Sequence, residues 1–226
     1  MLKAAIRDAL DSAAEFGWVL EPDAKGLLRA AGLNVPAFKV CREAKEAISW
    51  AREIGYPVAA KVVSPKAMHK SEVKGVVVGI SDDDALGETY KRFVRIDGFC
   101  GMLVETMASG VEVIVGAKRD YQFGTIILLG IGGTAVEIYR DTAIRMAPLS
   151  ERDVRVMVGS LKARALLEGY RGSEAVNMAA LVDMMLAFSD LAMALGERFE
   201  SIDLNPVMCS GEDCIIADAR IVLAGA

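Results

Sequence analysis

The chain has 226 residues, 53% of them hydrophobic, which is enough to bury a core in one large domain or two lobes. Its formal charge is −5 and no basic stripe interleaved with aromatics occurs, which argues against nucleic acid as a partner. The four cysteines (Cys41, Cys100, Cys209, Cys214) are too few for a disulfide scaffold, and no signal peptide precedes them, which points to the cytoplasm.

In chain order, an amphipathic helix is predicted over about Leu2 to Glu15. A second, from Glu21 to Ala31, stops at Gly32. Ala37 to Val40 is a short strand, and Glu43 to Ile54 a helix closed by Gly55. Pro57 to Val63 is nearly all apolar, as in a buried strand, and Val76 to Ile80 is its neighbour. Ser81, with Asp84 three residues on, is the expected cap of a helix running to about Ile96. Met102 to Glu105 is another strand. Closely spaced strands follow at Val111–Lys118, Thr125–Leu129, Ala135–Tyr139 and Ala143–Met146. Ser150 with Asp153 opens the next helix. The apolar stretch Ala175–Leu195 carries Asn177, Asp183 and Asp190, so it reads as a buried or interface helix and not as a membrane span. A terminal hairpin, Ser201–Cys209 and Cys214–Val222, closes the chain. These elements predict an α+β protein of two lobes joined near Glu105 to Ser109, with the domain division at 1–105 and 106–226.

Several constellations carry chemistry. The only histidine, His69, lies in Ser64-Pro65-Lys66-Ala67-Met68-His69-Lys70-Ser71 between two apolar strands. An imidazole there is able to take and give a phosphoryl group while nearby ammonium groups hold the anion; the other reading is a surface histidine. Lys61, inside Val58-Ala59-Ala60-Lys61-Val62-Val63, is expensive unless it meets an anion; a snorkelling lysine or a structural ion pair are the alternatives.

If Ser210–Asp213 form the terminal turn, facing positions sum to 423. Asn205 then faces Asp218, Asp203 faces Arg220, and all four project from one face. A carboxylate beside an amide oxygen suits a hard cation such as Mg²⁺, and an ordinary hairpin with one salt bridge is the other reading. The same register sets Cys209 opposite Cys214, where a reduced pair is expected and a cross-strand disulfide is the alternative. Gly130-Ile131-Gly132-Gly133 formally matches the dinucleotide fingerprint, but a strand follows it where the fingerprint needs a helix. A tight turn that lets backbone approach backbone or a phosphate is expected instead. Glu105 and Glu112 flank the lobe junction, and Asp141 with Arg145 reads as an ion pair.

Taken together, these motifs resemble the ATP-grasp fold, specifically the β subunit of the ADP-forming acyl-CoA synthetases, and more distantly that of succinyl-CoA synthetase. The resemblance runs from about Glu21 to Leu223. It rests on the Ala60-Lys61 strand, Ser64-Pro65…His69-Lys70-Ser71…Gly75-Val76, Val104-Glu105…Gly110-Val111-Glu112 and Arg119-Asp120…Phe123-Gly124. Gly130-x-Gly132-Gly133…Glu137, Asp141…Arg145…Pro148 and Asp203-Leu204-Asn205-Pro206…Asp218 complete it.

The resemblance implies two α+β lobes enclosing a nucleotide, ATP or ADP. Lys61 would contact its phosphates, Glu105, Met107 and Ala108 would lie beside adenine, and Glu112 would bind ribose. Asn205 and Asp218, with Asp203, would hold Mg²⁺. His69, Lys70 and Arg145 would serve phosphoryl transfer, and Ser71 would help bind the nucleotide. The implied reaction is acyl-CoA + Pi + ADP ⇌ carboxylate + CoA + ATP, with His69 relaying phosphoryl from a histidine on a partner α subunit. That subunit would carry the CoA-binding and phosphohistidine domains in an α2β2 assembly. A relay histidine must be neutral to attack phosphorus, and an ordinary imidazole, titrating at about 6.5, allows this. The family usually has two glycines before the second strand, where this chain has Lys74-Gly75; a positive φ at Lys74 would be strained, and the alternative is that Lys74 adds another cation to the phosphate loop. A self-contained ATP-grasp carboxylate ligase using an acyl phosphate, and a nucleotide-sensing module, are the competing expectations.

Overall fold

The structure is a computed structural model that describes residues 2–133 and 141–225. The strand expected at Ala135–Tyr139, with Glu137, lies outside the described residues. Two compact units emerge: Pro36–Ala108, and Met1–Val35 together with Ser109–Ala226. The expected division at 105/106 is thereby corrected at the N-terminus.

The reason is local. Strand β1 (Trp18–Val19) pairs antiparallel with β11 (Ala219–Leu223), Trp18 opposite Val222. Helices α1 (Leu2–Ala13) and α2 (Glu21–Ala30) add Ile6, Ala9, Ala13, Leu27 and Leu28 to the core of the larger unit. β1 has two residues, too few to leave an alternation in the sequence.

The smaller unit holds a four-stranded antiparallel sheet in the order β2-β5-β3-β4: β2 Phe38–Cys41, β3 Val58–Val63, β4 Val76–Ile80 and β5 Gly101–Thr106. Helices α3 (Ala44–Ile54) and α4 (Asp83–Phe93) supply Ala47, Ala51, Leu86 and Phe93 to one core with Val58, Ala60, Val62, Met102 and Val104. Leu86 and Phe93 are seven apart, hence on one helical face; burying each is worth about 1.5–3 kcal/mol. The cap of α4 is Asp82 and not the expected Ser81: Ala85 N–H donates to Asp82 Oδ1 at 2.8 Å. The Ser81 hydroxyl instead donates to Asp82 Oδ2.

The larger unit is built on a seven-stranded sheet ordered β1-β11-β9-β6-β7-β8, with β10 on β9. Its remaining strands are β6 (Val111–Asp120), β7 (Gly124–Ile131), β8 (Thr142–Met146), β9 (Phe199–Cys209) and β10 (Cys214–Ile216). Helix α5 (Glu151–Ser160) opens with the capping box read from Ser150 and Asp153. Helix α6 (Met178–Leu195) is long and apolar enough to cross a membrane, yet nine of its side chains, among them Leu181, Met185, Phe188 and Leu195, are buried. Asp183 and Asp190 lie on its exposed side, as the seven-residue spacing requires.

Candidate active site

In the smaller unit, Lys61 pairs across the sheet with Leu103, and Ala59 pairs with Glu105. Lys61 and Glu105 are therefore diagonal neighbours on the face opposite the core residues Ala60, Val62, Met102 and Val104. Their Nζ and Oε1 atoms are 2.9 Å apart, and both side chains are buried. The anion that a lysine in this strand requires is thus Glu105. Sequence reasoning gave the two residues separate tasks and missed their pairing, although opposite charges in neighbouring apolar strands were its visible sign. Met107 and Ala108 follow β5 outside regular structure, Met107 exposed.

The histidine loop leaves β3 at Ser64, whose buried hydroxyl donates to the Asp97 carbonyl at 2.7 Å and accepts from Lys66 N–H at 3.1 Å. Lys66 Nζ lies 3.0 Å from Asp97 Oδ2. At the far end, Gly75 N–H donates to the Lys70 carbonyl at 2.7 Å, and Val62 N–H donates to the Gly75 carbonyl at 2.8 Å. A Cβ on Gly75 would collide with Val62 Cγ1, so only glycine closes the loop this tightly. Between these anchors Glu72 N–H donates to His69 O and Lys74 N–H to Ser71 O, each at 3.1 Å. His69 and Ser71 are exposed, Lys70 half-buried. Lys74 has the positive φ (51°) anticipated as strained.

In the larger unit, the glycine turn behaves as expected of a close backbone approach. Gly132 N–H donates to the Glu112 carbonyl at 2.6 Å. A Cβ on Gly132 would sit 2.7 Å from Glu112 Cβ and 2.9 Å from its carbonyl oxygen. A Cβ on Gly133 would stand 3.6 Å from Glu112 Oε2, so the turn abuts the expected ribose ligand. The expected Asp141–Arg145 ion pair is corrected. Both Asp141 oxygens are taken by the backbone N–H groups of Lys162 and Ala163, each at 2.8 Å. Arg145 donates from Nη1 to the Ile144 carbonyl at 2.8 Å and is half-buried.

The terminal hairpin keeps the deduced register. Cys214 faces Cys209, Ile216 faces Val207, Ala219 faces Leu204 and Arg220 faces Asp203. Arg220 Nη2 and Asp203 Oδ2 are 3.2 Å apart. At 217–218 the second strand leaves the ladder, and both Ala217 and Asp218 donate their N–H to the Pro206 carbonyl, at 3.0 and 3.4 Å. Asp218 Oδ1 accepts Ala219 N–H at 2.8 Å, and Asn205 is exposed. Of the three expected metal ligands, Asp203 lies against Arg220, while Asn205 and Asp218 sit where the second strand leaves the ladder. No cluster of three or more His, Cys, Asp or Glu occurs among the described residues. An amide and one carboxylate instead fit a cation that takes its other ligands from water and phosphate.

Cys209 and Cys214 are joined as a disulfide, which corrects the expected reduced pair. Their Cα atoms lie 4.1 Å apart as facing residues, close enough for the sulfurs to meet. The turn between them is tied to the start of α6: Asn177 N–H donates to Ser210 O at 2.7 Å and Asn177 Nδ2 to Glu212 O at 2.9 Å. Asn34 Nδ2 donates to Asp213 Oδ2 at 2.7 Å. These asparagines hold the hairpin that bears Asn205 and Asp218, and nothing in their local sequence signalled it.

Comparison with known proteins agrees with this construction. Residues 12–223 match the model of the ATP-grasp domain family. The chain is 37% identical to acetate–CoA ligase [ADP-forming] I subunit beta of Pyrococcus furiosus, over 97% of this chain and 98% of that one. It is 40% identical to subunit beta of ligase II from the same organism, over 92% of each. Among solved structures, dinucleotide-forming acetyl-coenzyme A synthetase 1 of Ca. Korarchaeum cryptofilum superposes with a TM-score of 0.84 at 36% identity, covering 96% of this chain and 99% of that one. That protein was solved with coenzyme A and Mg-AMPPCP, its phosphohistidine segment pointing towards the nucleotide binding site. By its fold, its histidine loop and its likeness to these β subunits over nearly its whole length, the chain belongs to the ATP-grasp family, among the ADP-forming acetate–CoA ligase β subunits.

Proposed function

We propose that the chain is the nucleotide-binding β subunit of an ADP-forming acyl-CoA synthetase, acting with an α subunit that carries the CoA-binding and phosphohistidine domains. The single observation that carries this reading is the chain's one histidine, exposed on a loop braced at both ends and rich in lysine. In the direction of ATP formation, a neutral His69 nitrogen attacks the phosphorus of the partner's phosphohistidine. A new N–P bond forms, the partner's N–P bond breaks, and the proton displaced from His69 passes to the departing imidazole. A terminal phosphate oxygen of ADP then attacks the same phosphorus. The O–P bond of ATP forms, the His69 N–P bond breaks, and His69 regains a proton.

Positioning and charge neutralisation supply most of the catalysis in such a transfer. Lys61, steadied by Glu105, contacts the nucleotide phosphates, while Met107 and Ala108 flank adenine and Glu112 takes ribose hydroxyls. Lys70, Ser71 and Arg145 hold the phosphoryl oxygens. Asn205 and Asp218 would hold Mg²⁺, with Asp203 kept in place by Arg220; a bound Mg²⁺ supplies charge neutralisation on the phosphates. An α2β2 assembly in the cytoplasm completes the reading.

The test is turnover. Mixed with its α subunit, the chain should form ATP from acyl-CoA, phosphate and ADP, and the chain alone should not. His69→Asn should abolish the reaction. Substantial ATP formation by the His69→Asn mixture would instead favour a self-contained ligase working through an acyl phosphate.

A further inference from the structure

Lys74 stands out within the histidine loop. Its backbone is left-handed, with φ of 51°, a conformation that glycine adopts without penalty and a lysine does not. Its backbone groups are fully used: its N–H donates to Ser71 O, and Arg92 Nη2 donates to its carbonyl at 3.3 Å. Its exposed ammonium, by contrast, makes no hydrogen bond or ion pair among the described residues. Arg171, the other non-glycine residue with positive φ, differs: its guanidinium lies over the Tyr170 ring. The neighbouring Lys66 is also occupied, by Asp97.

The loop's hydrogen bonds wind residues 69–75 into consecutive turns that bring residue 74 against Ser71 and residue 75 against Lys70. Consecutive turns link His69 O to Glu72 N–H, Ser71 O to Lys74 N–H and Lys70 O to Gly75 N–H. A strained residue that persists with an uncommitted cation, five positions from His69 in the same closed loop, points to a use for that cation. We propose that Lys74 binds the phosphoryl group while it rests on His69, its ammonium meeting the oxygens of the phosphohistidine dianion. This inference rests on His69 being a phosphoryl carrier. Charge-assisted contact of this kind stabilises the dianion over the protonated phosphoryl. Lys70 and Glu72 share the loop and set the background on which Lys74 acts.

The test needs neither nucleotide nor partner. Phosphoramidate phosphorylates imidazole directly: its P–N bond breaks, ammonia leaves, and the phosphoryl forms a P–N bond with His69. One histidine in the chain gives one phosphohistidine resonance in ³¹P NMR. Its titration reads the second ionisation of the phosphoryl. That ionisation should lie lower in the wild type than in Lys74→Asn by about half a pH unit, the shift expected of one contacting charge near water. Asparagine and glycine both accept the left-handed backbone, so Lys74→Asn and Lys74→Gly keep the loop's shape while removing the charge. Lys74→Arg should restore the wild-type value, and Lys66→Gln should leave it unmoved. Equal ionisation in the wild type, Lys74→Asn and Lys74→Gly overturns the proposal. Failure of the relay reading would show separately, as no transfer between ATP and His69 in the wild type, with the ³¹P titration still deciding the Lys74 contact.

Discussion

The histidine loop of the smaller unit and the terminal hairpin of the larger one present polar side chains in opposite ways. The hairpin is fixed by a ladder: its register holds from Cys209–Cys214 to Asp203–Arg220, and a disulfide closes its turn. The loop has no ladder, and its shape comes from a few single contacts at Ser64, Lys70 and Gly75. A ladder places a group by arithmetic, whereas a loop places it by whichever hydrogen bonds happen to be available. The two units also differ in their ion pairs. Lys61–Glu105 is buried, with exposures of 6% and 3%, whereas Arg220–Asp203 is at 30% and 40%.

The sharpest contrast to break is between those pairs. Lys61→Met removes the ammonium that faces the buried Glu105 carboxylate and should destabilise the smaller unit by about 3–5 kcal/mol in chemical denaturation. Arg220→Met, at a half-exposed pair, should cost no more than about 1 kcal/mol. A Lys61→Met/Glu105→Leu double variant should recover much of the first loss. Equal costs for the two single variants would contradict the burial argument.

Glycines divide the units next. Gly132→Ala pushes a Cβ into the Glu112 backbone and should cost about 1–3 kcal/mol. Gly87→Ala, in α4 with nothing within 4 Å of the new Cβ, should stabilise by about 0.5–1 kcal/mol. Thermal melts of the two variants should therefore move in opposite directions. Reduction of Cys209–Cys214, which closes a loop of sequence separation 5, should lower stability by about 2 kcal/mol. Denaturation midpoints that ignore dithiothreitol would refute that contribution.

The smallest effect concerns the remaining thiols. Burial pushes the Cys41 thiol up to about 11, so its reactive thiolate is scarcer at neutral pH than at an ordinary thiol, whereas Cys100 is exposed. Iodoacetamide at neutral pH should modify Cys100 and spare Cys41 until the chain unfolds. Equal labelling rates in the native protein would show that Cys41 is not shielded.

Much of this was legible in the sequence because it follows from periodicity. The run Val58–Val63, the capping box at Ser150 and the hairpin sum of 423 are one-dimensional signals of local geometry. Contacts set by tertiary packing were not legible. The N-terminal helices joined the larger unit through a two-residue strand, and Asp141 turned from Arg145 to two backbone amides. Asp82 displaced Ser81 as a cap because both residue types cap well and one position separates them. Residue types singled out His69, Lys61 and Asn205 as candidates, but the Lys61–Glu105 pairing needed the sheet's register to be seen.

The central claim, that His69 carries phosphoryl between a partner and the nucleotide, is tested most directly by labelling. The chain, its α subunit and Mg²⁺ are incubated with γ-³²P-ATP, and the label on each polypeptide is followed. The expected result is acid-labile, base-stable label on this chain, absent from His69→Asn and chased by ADP. A wild-type chain that stays unlabelled with its partner and substrates present would contradict the relay.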